Sequence, residues 1–255
     1  MRLSPRHPRY ASLLVRAGLA DAARRGLVIP EGLIAHGRGE AFDYLLGERT
    51  SPSARRAERM AARWLLAARR PVLSVNGNVA ALASAEVAAL QRAVPRLGVE
   101  VNLFHRTPTR ARAVATALRR AGVRQVLGVH PTVRLPHLDS DRARIDARGI
   151  AVADVCLVPL EDGDRARALR LAGKRVISID LNPLSRTSQE ADLPIVDELT
   201  RALRGIALAA RRFRPRSGGA GLPQFDAAGA RRQALRTIGQ ALRREAARPP
   251  GVRRD

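Results

Sequence analysis

Between residues 71 and 196, short apolar runs alternate with alanine- and arginine-rich stretches of helical spacing, and this alternation restricts the fold more than any other feature. The runs are PVLSV (71–75), VEVNLF (99–104), RQVLGV (124–129), ADVCLVPL (153–160) and RVISID (175–180), with a weaker LPIV (193–196). Helical stretches separate them at about 79–94, 108–121, 164–172 and 197–211. Strand–helix–strand order with short turns predicts an α/β fold, a mainly parallel sheet with helices on both faces. Ligands of such sheets bind beyond the carboxyl ends of the strands. The loops after residues 75, 104, 129, 160 and 180 are therefore where a site is expected.

Helical segments precede this core. Residues 8–26 have helical spacing, with Leu13, Leu14 and Leu19 free to pack and Gly26 as a stop. In GLIAHGRGEAFDYLLG (32–47), His36-Gly37-Arg38-Gly39 reads as a corner at the mouth of a short helix that carries Phe42, Leu45 and Leu46 and ends at Gly47. Such a corner either lets amides and a guanidinium approach an anion or is a sharp turn with a solvated arginine. Ser51 and Pro52 then suit a helix start, with Met60, Trp64 and Leu65 as its apolar stripe. Beyond residue 212, RRFRPRSGGAGLPQ reads as a linker, FDAAGARRQALRTIGQALRREAA as a terminal helix and RPPGVRRD as a frayed tail. Three parts are expected: a helical segment over 1–70 packed on the core, the α/β core over 71–212, and the linker, helix and tail over 213–255.

At 255 residues and 45% hydrophobic, the chain has enough apolar side chains for a large core. No run of about 18 apolar residues marks a membrane span, and the amino terminus has no apolar signal-peptide region. Cys156, the single cysteine, sits in VCLV and reads as a buried thiol, which fits a reducing, cytoplasmic setting. The net charge of +23 invites a nucleic-acid reading. Against it, Lys174 is the only lysine, so the basicity is an arginine bias spread over the whole chain, and only 3% of residues are aromatic platforms for bases.

The strand-end loops carry the candidate chemistry. Asn76-Gly77-Asn78 leads into a helix, where amides favour an anionic oxygen, although Asn-Gly is also an ordinary turn pair. It is neither a G-x-G-x-x-G nor a Walker A sequence, and Gly173-Lys174 precedes a strand, which excludes a P-loop. His105, Arg106 and Arg110 follow the second strand, and His130 with Thr132 the third; they hold a phosphate or carboxylate, or are simply solvated. Glu161, Asp162 and Asp164 crowd a helix entrance ahead of Arg165, either to stabilise the helix or to hold Mg²⁺ or an amine. After the fifth strand, Asp180 suits ribose hydroxyls or an adenine amino group, while Ser185, Arg186 and Thr187 suit phosphate.

Taken together, HPRYASL, GLIAHGRGEAFDYLLGE, SVNGNVAAL, NLFHRT, VPLEDGDR and IDLNPLSRTSQEAD resemble the archaeal-type phosphopantothenate synthetases, or 4-phosphopantoate–β-alanine ligases. The resemblance runs from about residue 7 to 200 in family order, and beyond residue 212 it fades. It implies a Rossmann-like homodimer that uses ATP, with Mg²⁺ expected, to join 4-phosphopantoate to β-alanine in coenzyme A synthesis, releasing AMP and pyrophosphate. Carried over by motif, ATP contacts fall on Arg16, Arg38, Asp180, Leu181, Asn182, Arg186, Thr187, Glu198 and Leu199. The last pair departs from the family pattern, an asparagine before an aliphatic residue, so backbone atoms are expected to act there.

Release of AMP points to an acyl-adenylate that the amine of β-alanine attacks, a reaction needing positioned charge more than a protein nucleophile. On this reading Arg38 and Arg186 neutralise nucleotide phosphates, and Asn76, Asn78, Arg106 and His130 are substrate-binding candidates. Glu161, Asp162, Asp164 and Arg165 are candidates for the catalytic region, with no general base or metal ligand assigned. Two rivals stand beside this reading. An arginine-rich nucleic-acid-binding α/β protein explains the charge but not the glycine-framed loops, and a nicotinamide-dependent oxidoreductase lacks its glycine fingerprint.

Overall fold

The computed structural model describes residues 4, 6, 7, 10–213 and 221–248, with nothing said of the side chain of Ala11. Most of the expected linker and tail, 214–220 and 249–255, lies outside the described residues. Three helices come first: α1 (Tyr10–Arg24), α2 (Pro30–Leu46) and α3 (Pro52–Ala67). The alternating part follows as β1 (Pro71–Val75), α4 (Gly77–Ala93), β2 (Gly98–Val101), α5 (Pro108–Arg120) and β3 (Val126–Leu127). After a minor pair, β4 (Val133–Arg134) and β5 (Arg144–Ile145), it resumes with β6 (Val155–Pro159), α6 (Gly163–Leu171), β7 (Arg175–Ile179), α7 (Arg186–Glu190), β8 (Leu193–Ile195) and α8 (Leu199–Arg212). The last described helix is α9 (Ala227–Ala246).

Six strands form one parallel sheet in the order β3-β2-β1-β6-β7-β8. Side chains alternate across each strand, so the sheet has two apolar faces to bury. Leu73, Val75, Leu157 and Ile177 pack with Trp64, Val87, Leu118 and Leu203 from the layer of α3, α4, α5 and α8. Val72, Cys156, Val158 and Val176 pack instead with Leu169 of α6 and with Ile145 and Ile150. Chain direction across the sheet reverses at β1, and right-handed crossovers then place the helices on opposite faces. Cys156 is buried and its thiol is pushed up to about 12 by desolvation, as a packing residue requires.

Local chemistry sets the ends of these elements. Ser51 accepts the Ala54 N–H (3.1 Å) and Pro52 occupies the first turn, which starts α3 as expected. The Asp154 carboxylate accepts the amides of Arg69 and Arg70 (2.7 and 2.9 Å), fixing the entry to β1. Lys174 is buried and donates to the carbonyls of Ala151 and Ala153 (2.9 and 3.1 Å).

One expectation is corrected. Gly37 and Gly39 are not a corner but lie inside the continuous helix α2. Its limits are Pro30 at the start and Gly47, left-handed at φ 83°, at the end; two interior glycines weaken a helix by only about 1 kcal/mol each, and Phe42, Leu45 and Leu46 anchor its far end. Between β3 and β6 lies the segment 128–154. It folds back as the antiparallel pair β4–β5, with Val133 opposite Ile145.

Gly128 ends β3 at φ 77°, and a Cβ there would fall inside van der Waals contact with the Val101 carbonyl. Gly128→Ala should therefore lower stability by roughly 2 kcal/mol in urea unfolding. An unchanged midpoint would show that this turn is not held as described.

Candidate functional site

All six strands of the main sheet point the same way, so their following loops share one rim. The reversal of strand order lies between β1 and β6, where open α/β sheets bind ligands. Asn76 joins the two strand ends: its Oδ1 accepts the Val79 N–H (3.0 Å), capping α4, and its Nδ2 donates to the Leu160 carbonyl (2.9 Å). Leu160 itself is held at φ 50°, an uncommon conformation that aims the acid loop after it. Asn78 donates to the Gly32 carbonyl (2.8 Å), and a Cβ on Gly32 would overlap the asparagine side chain. The first turn of α2 thus rests on the start of α4.

From there α2, 17 residues and about 25 Å long, crosses toward β7 and β8. Its far end packs Phe42, Leu45 and Leu46 with Leu181, Val196, Ala234 and Ile238. This path brings Arg38 near Asp180, whose carboxyl is raised by burial and opposed by hydrogen bonds from Ser185 and Asn182 and by the Arg38 charge. The Asn182 amide donates to Asp180 (2.9 Å) and the Leu184 amide to Asn182 Oδ1 (2.8 Å), shaping the loop after β7. Arg16 on α1 forms a two-nitrogen pair with Glu40 (3.1 and 2.8 Å), which raises its pKa. His36, also on α2, has its Nε2 buried without a hydrogen-bond partner and its pKa lowered by desolvation, with Glu40 and Glu198 acting in the other direction.

Glu198 caps α8 by accepting from Thr200 N and Arg201 N (both 2.9 Å), and Leu199 is buried. The carboxylate is committed to that cap in this conformation. Arg186 opens α7 and pairs with Asp164 (3.1 Å) on an exposed edge, whereas Thr187 is buried and its hydroxyl donates to the Glu161 carbonyl.

The acid loop separates instead of converging. Glu161 is buried between Arg142 and Arg165, bonded to both. Asp162 lies 3.5 Å from Arg142 Nε, and Asp164 turns to Arg186. Among the described residues, no group of three or more His, Cys, Asp or Glu side chains forms a metal cage. Arg165 is fully buried, hydrogen-bonded to Ser74 (3.0 Å), with burial pushing its pKa down to about 10; Arg142 is shifted to about 10 for the same reason. Glu161 and Arg165 are accordingly structural groups beneath the rim, while the exposed Asp162 and Asp164 remain open to a ligand.

On the other side of the switch point is a cavity of about 550 Å³. Arg106, His130, Thr132, Arg134 and Arg144 line it, joining the sequence candidates Arg106, His130 and Thr132 to two further arginines. Arg106 Nη2 donates to the carbonyls of Gly128 and Val129 (2.6 and 2.7 Å), its amide donates to Asp141 (3.0 Å), and its Nη1 is buried without a partner. Desolvation lowers its pKa, with Arg144 adding to that and Glu100 and Asp141 opposing it. A guanidinium fixed by carbonyls with one nitrogen still unpaired has donor capacity left for a carboxylate or phosphate oxygen. Arg134 and Arg144 escaped the sequence reading because two-residue strands leave almost no period; alternation around Val133 and Ile145 was the only signal.

By strand spacing, the loops after β2 and β7 are roughly 14 Å apart on one rim. The site therefore has two basic halves, one under α2 and one over β2 and β3, with Asp162 and Asp164 between them.

Glu161→Ala would leave two buried guanidiniums without their shared acid, and about 3–5 kcal/mol of stability should be lost. Urea unfolding with a change below about 1 kcal/mol would contradict this structural role.

The comparisons with known proteins fall on these elements. The family model described as Phosphopantothenate/pantothenate synthetase matches residues 53–241, which include every strand-end loop of the main sheet. A protein of Methanospirillum hungatei JF-1 named 4-phosphopantoate--beta-alanine ligase is 57% identical over 201 residues, 79% of this chain and 82% of that one. Proteins of the same name from Thermococcus onnurineus (49% over 220 residues, 86% of this chain and 84% of that one) and Methanosarcina mazei (52% over 208 residues, 82% and 81%) are also similar. With the matched region spanning most of its length, the chain belongs to the phosphopantothenate/pantothenate synthetase family.

Proposed function

We propose that this protein is an ATP-dependent ligase that joins 4-phosphopantoate to β-alanine, releasing AMP and pyrophosphate, in coenzyme A biosynthesis. The observation that carries the reading is the pair of basic halves on one rim, suited to two anionic substrates at once. Under α2, Arg38 faces the phosphates of ATP, Asp180 and Asn182 its ribose or base, and the amides at Glu198-Leu199 close that half. Arg16 and Arg186 are each held by one carboxylate, Glu40 and Asp164, and are available to exchange it for phosphate. In the other half, the unpaired Nη1 of Arg106, with His130, Arg134 and Arg144, receives the phosphate of 4-phosphopantoate.

Activating the pantoate carboxylate as an acyl group and presenting it to an amine needs positioned charge and excluded water more than a nucleophile. The reaction so read calls for no Ser-His-Asp or Cys-His arrangement, and Cys156 is buried in the sheet. Asp162 and Asp164 would hold Mg²⁺ arriving with the nucleotide, since that ion needs only one or two carboxylates beside phosphate and water; bound there, it would neutralise phosphate charge. The same acids suit the ammonium of β-alanine. A homodimer belongs to this reading, and Leu14, Val15 and Ile34 of α1 and α2 are apolar side chains left exposed in the single chain. So does a cytoplasmic setting. Among the described residues, no helix is long and apolar enough to cross a membrane. The rival nucleic-acid reading gains nothing from the comparisons.

Incubation with ATP, Mg²⁺, 4-phosphopantoate and β-alanine should yield AMP and 4'-phosphopantothenate in equal amounts. AMP formed without the amide product would overturn the proposal. Arg38→Ala should raise KM for ATP about 10–100-fold, and Arg106→Ala should do the same for 4-phosphopantoate only. Steady-state kinetics in which both variants affect the same substrate would contradict the division of the rim.

A further inference from the structure

The helix α2 is fastened by a chain of charges that begins outside the site. Arg201 of α8 reaches Asp43 of α2 with both terminal nitrogens (3.1 and 2.5 Å). The same guanidinium donates Nε and Nη2 to Asp197 Oδ1 (3.1 and 2.9 Å), which also accepts the Glu198 amide (2.8 Å). Asp197 Oδ2 is buried and has no hydrogen-bond donor among the described residues. Facing it from α3 is Glu58, buried at 5% exposure, with its own Oε1 equally without a donor. Gly205 makes the space, since a Cβ there would overlap the Glu58 carboxylate.

Two desolvated carboxylates in contact cannot both carry charge cheaply, and one proton satisfies both empty oxygens. Asp197 is already bound to Arg201, so that proton belongs to Glu58. We propose that Glu58 is a positioning residue: protonated, it donates to Asp197 and so steadies the Asp197–Arg201–Asp43 latch that seats α2, with Arg38 and His36, on the rim. Burial, then Asp197, push the Glu58 carboxyl up to about 8, while Arg55 and Arg59 on its own helix act in the opposite direction. On α9, which also packs against α3, Arg231 is engaged with the Ser188 carbonyl and Arg232 with Asp226.

The sign follows from linkage. Because the folded pKa is raised above the ordinary 4.5, the stability from this proton is full below pH 4.5 and falls as pH rises to about 8. Above that value the ionised pair repels and the latch loosens. The effect on ATP rests on the ligase reading, whereas the proton and the latch do not.

Carbon-13 NMR of protein labelled at glutamate carboxyls tests the proton directly. One resonance, absent from Glu58→Gln, should titrate near pH 8; if that resonance titrates below pH 6, the proposal fails. Amide exchange in α2, corrected for base catalysis, should accelerate in the wild type above pH 8 but not in Glu58→Gln, whose amide keeps the donor. Identical exchange profiles in the two proteins would also overturn it. With substrates, KM for ATP should rise severalfold between pH 7 and 9 in the wild type with kcat little changed, remain flat in Glu58→Gln, and be raised at all pH values in Glu58→Ala. The same KM profile in wild type and Glu58→Gln would contradict the positioning role. Absence of ligase turnover would count against the function alone, because the titration and the exchange still decide the latch.

Discussion

Parallel strands impose the constraint from which this molecule follows: a helix must carry the chain back after each strand, so every strand-end loop emerges on the same side. One rim thus collects loops from six strands without any residue having to reach across the domain. The reversal of order between β1 and β6 opens a crevice in that rim, and Asn76 bridges it with one side chain that both caps a helix and ties two strands. The helix α2 then lies across the opening and adds arginine from the amino-terminal segment to a surface otherwise made by the core.

Charge is handled differently at two depths. Beneath the rim, Glu161 is enclosed by Arg142 and Arg165, and Glu100 accepts the amides of Asp146 and Ile150 (2.9 and 2.6 Å) to pin the 128–154 segment to the sheet. These buried groups are expensive to separate and fix the position of the loops above them. Nearer the surface, Arg16 pairs with Glu40, Arg186 with Asp164, and Arg38 lies near Asp180; on the proposed reading these are the groups that meet phosphate. Arginine suits both depths because its fork binds carboxylates, carbonyls and phosphates with the same geometry. That versatility gives the chain's arginine bias local uses without invoking nucleic acid.

Most of the sheet was legible because apolar runs and helical stretches alternate over long enough windows: PVLSV and RVISI became β1 and β7 at nearly the expected limits. Shorter signals failed. Two-residue strands at Val133 and Arg144 carry no period, so Arg134 and Arg144 in the basic cavity's wall were missed although Arg106, His130 and Thr132, which also line it, were named. At Gly37-Arg38-Gly39 local propensity misled, because the capping signals of Pro30 and Gly47 and the packing of Phe42, Leu45 and Leu46 outweigh two glycines. The acid trio was visible as a cluster, but its division among Arg142, Arg165 and Arg186 depends on partners distant in sequence. The carboxyl pair of Glu58 and Asp197 left no sequence trace, since only folding brings α3 to the end of β8.

The central claim is that one rim holds two anionic substrates in separate halves. Hydrogen-exchange footprinting with a non-hydrolysable ATP analogue and with 4-phosphopantoate, separately and together, tests it most directly. The analogue should protect α2 and residues 180–187, 4-phosphopantoate should protect 104–110 and 128–134, and both footprints should persist when the two are combined. Mutual displacement, or protection confined to the opposite edge of the sheet, would contradict the account.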